Sequence, residues 1–343
     1  MRTASSIDTL ILGAGPAGTS TAIQCAKAGL NVTLIERMQF PRERPGETLH
    51  PGVEPLLKQL EVAQQTLTAN ILRHEGVWVE WESDRRFVSF GADECGTWQG
   101  FQVWRADFDT SLLCYAKHLG VRVLQPCHTL APIIESNRVV GVITSKGAFR
   151  SAFTIDATGS QSWLAKKLGL SLTSYTPRLI AYYGYAMGEC PQRHDAPAIV
   201  ADSQGWTWTA RVCPHLYQWT RLPFHNQCIA KGWMPEEFSN LTPRGKLRAA
   251  DVTWRIVNNP AGLGYFLVGD AANVLDPAAS HGLLKAIMSG IMVGCLITQI
   301  LHHAQTERKV IEGYCQWIYN WFQHDINRLK QLYINLPNPP DWL

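Results

Sequence analysis

Charge of one sign is scarce in this chain of 343 residues. Its 31 lysines and arginines stand against 28 acids, leaving a formal net charge of +3, and only 17% of residues are charged. No long basic stripe is present, so nucleic acid is not expected as a partner. With 46% hydrophobic residues the chain is also not disordered, because it can bury enough apolar surface to offset the entropy of ordering. Paired cysteine motifs are missing too. The nine cysteines (25, 95, 114, 127, 190, 213, 228, 295, 315) are odd in number and form no C-x-x-C pair, which argues against a disulfide framework or a zinc cage. A reducing, cytoplasmic compartment and no metal site are expected. The opening stretch MRTASSIDTLILGAG has an apolar run too short for a secretory core, and no targeting signal is read. No repeat or low-complexity tract occurs, and nothing specifies an oligomeric state. Residues 283–301 approach membrane-span length and carry Gly290-x-x-x-Gly294, but Lys285, Ser289 and Gln299 interrupt them. A buried helix is expected there, not a span.

What is present begins at once. Residues 9–12 form a short β-prone run, Gly13-Ala14-Gly15-Pro16-Ala17-Gly18 follows, and an alanine-rich helical stretch occupies 19–28. Strand, tight turn and helix in that order make a phosphate cradle: Gly13 permits the turn, Gly15 lets the backbone approach a pyrophosphate, and Gly18 lets helix pack on strand. A second strand, 31–35, ends at Glu36, with seventeen residues between Gly18 and Glu36. Its carboxylate stands where a ribose diol would be held. Arg37, Arg42 and Arg44 follow it, with two readings open: contacts to cofactor phosphates or NAD(P)H, or a solvated turn.

Two later segments distinguish the dinucleotide. Ile155-Asp156-Ala157-Thr158-Gly159 closes a β-meander, and Phe266-Leu267-Val268 runs into Gly269-Asp270-Ala271-Ala272. Both resemble FAD-protein signatures, with Asp270 placed to accept a hydrogen bond from a ribityl hydroxyl. The helix starting near His281, Gly282 and Leu283 would aim its N–H groups at the flavin. Over residues 7–300 the chain resembles the FAD-dependent monooxygenase superfamily, which includes aromatic hydroxylases, geranylgeranyl reductases and flavin-dependent halogenases. Val103-Trp104-Arg105-Ala106-Asp107-Phe108-Asp109 matches the V-x-R-x-x-F-D pattern, which implies that Arg105 lies near the FAD phosphates. Pro45-Gly46-Glu47-Thr48-Leu49-His50-Pro51 resembles the G-E-[ST]-L-x-P loop that runs beside the flavin, so Glu47 is assigned to the cofactor, as is Pro277.

The fold expected is α/β: a Rossmann-type FAD-binding domain with an inserted antiparallel β-sheet substrate domain and a C-terminal helical segment. The FAD domain is discontinuous (1–76, 91–178 and 251–305), the substrate domain comprises 77–90 and 179–250, and 306–343 forms the helical segment. Strands are expected at 181–187, 206–212, 217–222 and 228–233.

The chemistry implied is oxidation of an aromatic, indole-type group by dioxygen through a flavin C4a-hydroperoxide, with NAD(P)H or free reduced flavin as electron donor. Gly205-Trp206-Thr207-Trp208 resembles the W-x-W segment of halogenases, and Trp206, Trp208, Tyr182 and Arg211 are the candidate substrate contacts. Halogenases of this kind carry a lysine in a K-x-G segment. Here His74 stands in that place within Arg73-His74-Glu75-Gly76, which disfavours halogenation. Arg73-His74-x-Gly76, Asp251-Val252-Thr253-Trp254-Arg255 and the segment from Asp276 to Gly290 look like the flavoproteins that help to build tryptophylquinone cofactors. That resemblance implies a tryptophan side chain of a partner protein as substrate, with a small aromatic molecule as the other reading. His74, Glu75 and His281 are the candidate proton-transfer groups. A geranylgeranyl-type reductase, a flavin-dependent halogenase, disfavoured by His74, and a non-enzymatic flavin-binding protein are the alternatives.

Overall fold

The computed structural model describes residues 7–67, 71–81, 84–225, 227–302 and 306–343. Strand β1 (Ile7–Leu12) leads through the glycine turn into helix α1 (Pro16–Lys27), whose first residue is a proline, pre-set for the first helical turn. Strand β2 (Val32–Ile35) follows; then β3 (Gly76–Glu80) and β4 (Arg86–Ser89) form a hairpin, and helix α2 (Arg105–His118) leads to β5 (Arg122–Leu124). The meander is β6 (Thr129–Glu135), β7 (Arg138–Thr144) and β8 (Gly147–Asp156). Next come β9 (Ile180–Met187), β10 (Ala198–Asp202), β11 (Gly205–Cys213), β12 (Leu216–Pro223) and β13 (Thr242–Asp251). Strand β14 (Tyr265–Leu267) and helices α3 (Gly282–His302) and α4 (Glu307–Ile334) complete the chain.

Two sheets organise these elements. One runs β5-β2-β1-β8-β7-β6, with β14 joined to β8; β5, β2, β1, β8 and β14 are parallel. Parallel strands covered by helices are apolar on both faces, and β1 and β2 show it: Leu10, Ile11, Leu12, Leu34 and Ile35 are all buried. The other runs β13-β9-β12-β11-β10-β3-β4, so the segment near residue 80 and the segment 180–251 share one sheet. Fold and class are those expected, a Rossmann-type α/β domain with an inserted sheet and a helical C-terminal segment. Helix α3 has the length and apolarity to cross a membrane. It packs on α1, and the glycine spacing serves that contact: a Cβ on Gly290 would stand 2.4 Å from the Ala17 carbonyl oxygen.

One expected strand is absent. Residues 228–233 are irregular, because their aromatic residue is used in packing, with Trp233 set edge-on to Trp219 at 5.1 Å. The edge of the sheet is instead β13, a mostly exposed run (TPRGKLRAAD) whose Arg and Lys residues suit an unprotected edge.

Candidate flavin and substrate cavity

A cavity of about 880 Å³ lies between the two sheets, α3 and α4. Its dinucleotide end is the turn after β1. Gly13 adopts φ +106°, and a Cβ there would meet the Ala157 carbonyl oxygen at 2.4 Å. At Gly18, which lies behind the lining, a Cβ would sit 2.0 Å from the Gly13 carbonyl oxygen, whereas at Gly15 only Arg42 Nη2 comes near, at 3.7 Å. Gly15 therefore leaves room open to the cavity while the other two are closed by the fold. Pro16, Ala17, Glu36 and Arg37 also line this end. The Glu36 carboxylate is buried and accepts the Ala14 and Met38 N–H groups, each at 2.9 Å. Arg37 reaches outward to Gln161 at 3.1 Å.

Asp109 anchors two arginines of the same wall. Arg105, in the first turn of α2, forks onto it through Nε and Nη2 at 2.9 Å each and donates Nη1 to the Pro45 carbonyl at 2.7 Å, which fixes the loop of Glu47. Arg42 gives Asp109 one nitrogen at 3.2 Å, while its buried Nε has no partner. An unpartnered cationic N–H beside an open glycine turn fits a phosphate. Asp270, behind Gly269, faces the cavity, and among the described residues no side chain or backbone group hydrogen-bonds its carboxylate. Burial raises its pKa and Arg105 opposes the rise. A free carboxylate there fits a polyol hydroxyl. Gly159, Pro277, Gly282 and Leu283 line the same space.

Glu47 is almost wholly buried. It accepts the Gly46 N–H at 2.8 Å and the Tyr185 hydroxyl at 2.5 Å. Burial pushes its carboxyl from 4.5 up to about 7, against the lowering by Tyr185 and Arg105. A carboxyl raised in the native state keeps its proton where the unfolded chain has lost it. Its contribution to stability is thus complete below about pH 4.5 and is lost as pH rises through about 7. Wild type is expected to lose about 3 kcal/mol relative to Glu47→Gln over that window. Urea unfolding at stepped pH measures it, and parallel stability curves would refute it.

The lining of the cavity also contains aromatic side chains. Trp206 and Trp208 of β11 line it with Trp317, Trp321 and Phe322 of α4. Two expected substrate contacts fall elsewhere, because successive strand residues face opposite sides of a sheet. Tyr182 packs with Trp219 and Trp233 on the far face, and its neighbour Tyr183 lines the cavity. Arg211 stands an odd number of residues from Trp206 and Trp208 and is likewise outside the lining.

Of the three proton-transfer candidates, His281 lines the cavity and the other two do not. His74 is buried against Gly100 and Phe90, with Nδ1 3.0 Å from the Gly76 carbonyl, and Phe90 takes its place in the lining. The short pairing of Arg73–His74 with residues 100–101 turns the ring inward. Glu75 meets Gln99 on the surface at 3.5 Å. Burial, then His50 with its ring 5.1 Å away, pushes His281 down to about 4. Lys285, Tyr183, Phe90 and His50 are lining residues with no assigned role in the sequence reading. Lys285 was the most legible of them, as the one formal charge of an apolar helix.

A glycine cradle, a terminal acid and a free Asp270 lie in the wall of one cavity. The chain belongs to the family described as FAD binding domain, which matches residues 6–231. It is 26% identical over 331 residues to the tryptophan 2-halogenase of Chondromyces crocatus, covering 88% of this chain and 63% of that protein. The chain thus spans less than two thirds of that relative's length. Among solved structures it resembles CmlS, a flavin-dependent halogenase, with a TM-score of 0.87 at 23% identity over 99% of this chain and 67% of that one. It also resembles QhpG, a peptidyl tryptophan dihydroxylase essential for tryptophylquinone cofactor biogenesis, with a TM-score of 0.76 at 19% identity over 98% of this chain and 77% of that one. Both likenesses are of fold. The protein is an FAD-dependent enzyme.

Proposed function

We propose that the enzyme is a monooxygenase that hydroxylates an electron-rich aromatic group of indole type, on a small molecule or on a tryptophan side chain of a partner protein. One observation carries this: the cavity that holds the glycine turn, Glu36 and Asp270 is also lined by Trp206, Trp208, Trp317, Trp321 and Phe322. FAD, once bound and reduced by NAD(P)H or free reduced flavin, supplies the capacity to activate dioxygen. The chain's own residues do the rest. Trp206 and Trp208 offer planar faces against which an aromatic ring can stack. Gln218 and Thr220 put polar atoms in the same wall. His281 is neutral near pH 7, so a ring nitrogen is free to take the proton that leaves the aromatic carbon. An isoprenoid reductase would want an aliphatic tunnel, which these aromatic walls do not resemble.

Halogenation is the second reading, favoured by the relative named tryptophan 2-halogenase. Against it stand His74 in the lysine position and the absence of that ring from the cavity lining. The nine free cysteines support a reducing, cytoplasmic location. The test is to incubate the FAD-loaded enzyme with reductant, oxygen and bromide, offering tryptophan, phenols and a tryptophan-containing peptide. A product heavier by one oxygen atom is expected. A brominated product in its place would transfer the assignment to halogenation, and reduction of an isoprenoid with no aromatic product would end both readings.

A further inference from the structure

Strands β10, β11, β12 and β9 lie side by side and turn one face to the cavity. The register sets Ile199, Trp208, Thr220 and Tyr183 in one row across them, each directly opposite the next, and all four line the cavity. Gln218 stands two residues from Thr220 on β12, shares its face and is also a lining residue. The glycine turn, Glu36 and Asp270 belong instead to the ends of β1, β2 and β14 in the other sheet. Gln218 is only 3% exposed. Its amide nitrogen donates to the Trp219 carbonyl at 2.9 Å and to the Thr220 hydroxyl oxygen at 2.6 Å, which uses both N–H groups. Turning the amide over would set its oxygen against the Trp219 carbonyl oxygen, so the orientation is fixed. Oε1 is left as an acceptor without a partner among the described residues. Its neighbours directly across the sheet supply none: Ala210 has no polar side-chain atom, and the Tyr185 hydroxyl already donates to Glu47.

A buried amide oxygen in a largely apolar wall calls for a hydrogen-bond donor. Trp208, diagonal to Gln218 across the β11–β12 pair, offers a flat surface on which a planar ring can rest. A ring carrying its own N–H in that place would meet the Gln218 acceptor. A ring of the same shape with oxygen in place of nitrogen would bring a second acceptor against it. Such a site rejects the analogue that lacks the donor, because the protein group is then left unpaired. Resting on the aromatic-hydroxylase reading, we infer that Gln218 selects substrates whose ring bears an N–H, as indole does, by accepting that hydrogen bond at Oε1, and that Thr220 holds the amide in position for it.

The test is calorimetric titration of the FAD-loaded protein with indole and with benzofuran, a ring of nearly the same shape with oxygen in place of the N–H. Indole is expected to bind about tenfold more tightly, the effect of one such hydrogen bond. Gln218→Met keeps the volume of the side chain and removes the acceptor, so it should weaken indole about tenfold and leave benzofuran unchanged. Thr220→Val releases the amide and should lower the preference for indole in the same direction; an unchanged preference there would remove Thr220 from the inference. Equal binding of the two rings by the wild type, binding of neither, or an unaltered preference in Gln218→Met would overturn the role of Gln218. Should Gln218→Met not fold, the wild-type comparison decides by itself. Hydroxylation of aromatic compounds that lack an N–H, with indole refused, would end this inference and keep the hydroxylase reading. Absence of any oxygenated aromatic product would instead remove that reading and this inference with it.

Discussion

Tyr333→Ala is expected to cost about 3–5 kcal/mol of stability, the range for deleting a large buried aromatic side chain. Tyr333 extends from α4 into a box of Trp81, Phe224, Trp254 and Trp342, with ring centroids 5.5–5.7 Å away. Its hydroxyl accepts the Trp206 indole N–H at 2.8 Å and donates to Asp276, which also caps the turn at 277–279 by accepting the Ala278 N–H at 2.8 Å. One side chain thereby ties α4, β11 and the loop that enters α3. Tyr333→Phe keeps the packing and removes the two polar contacts, so about 1–3 kcal/mol is expected from buried groups left unpaired. Burial raises Asp276 to about 6 against the lowering by Tyr333, so the Phe variant should raise it further. Urea unfolding of both variants reads these effects. A Phe variant as stable as wild type would show that the hydroxyl network contributes nothing net.

Gly15→Ala and Gly18→Ala are expected to fail in different ways. At Gly18 a Cβ would be driven to 2.0 Å from the Gly13 carbonyl oxygen, a backbone atom that cannot swing aside. That variant should lose stability before any cofactor is added. At Gly15 the nearest atom is the end of the Arg42 side chain, at 3.7 Å, so the apoprotein should unfold like wild type. The methyl group would occupy the surface that a pyrophosphate must approach, and FAD affinity should drop about 100-fold, close to 3 kcal/mol. Thermal unfolding of the apoproteins and fluorescence titration with FAD separate the two cases. Tight FAD binding by Gly15→Ala would mean that the pyrophosphate does not pass this turn.

Much of the cradle was legible because its signals are local. The spacing from Gly13 to Glu36 lies within one β-turn-α-β unit, where each residue's conformation is set by near neighbours. The same holds for Arg105, whose acid Asp109 is one helical turn away. The aromatic lining was harder to read. Period-two alternation says that Tyr182 and Tyr183 face opposite sides of β9 but not which side is the cavity; that depends on what packs against each face. Residues 228–233 have the composition of a strand, yet no ladder partner is placed beside them, and Thr242–Asp251 takes the edge despite its polar residues.

His74 marks the boundary between the two kinds of information. Its place in a short motif was evident from the residues alone, while Phe90, which shields the ring from the cavity, arrives from the far side of a hairpin. By itself, the sequence determined the glycine turn, the terminal acid, the aspartate closing β14 and the class of cofactor they hold. All of these follow from backbone conformations and helix-end fields that act over a few residues. Only the tertiary structure decided which tryptophans line the cavity, that His281 lines it while His74 does not, and that Lys285 finds its acid forty residues away on α4. Those outcomes depend on long-range packing between elements whose individual patterns fit several arrangements equally well.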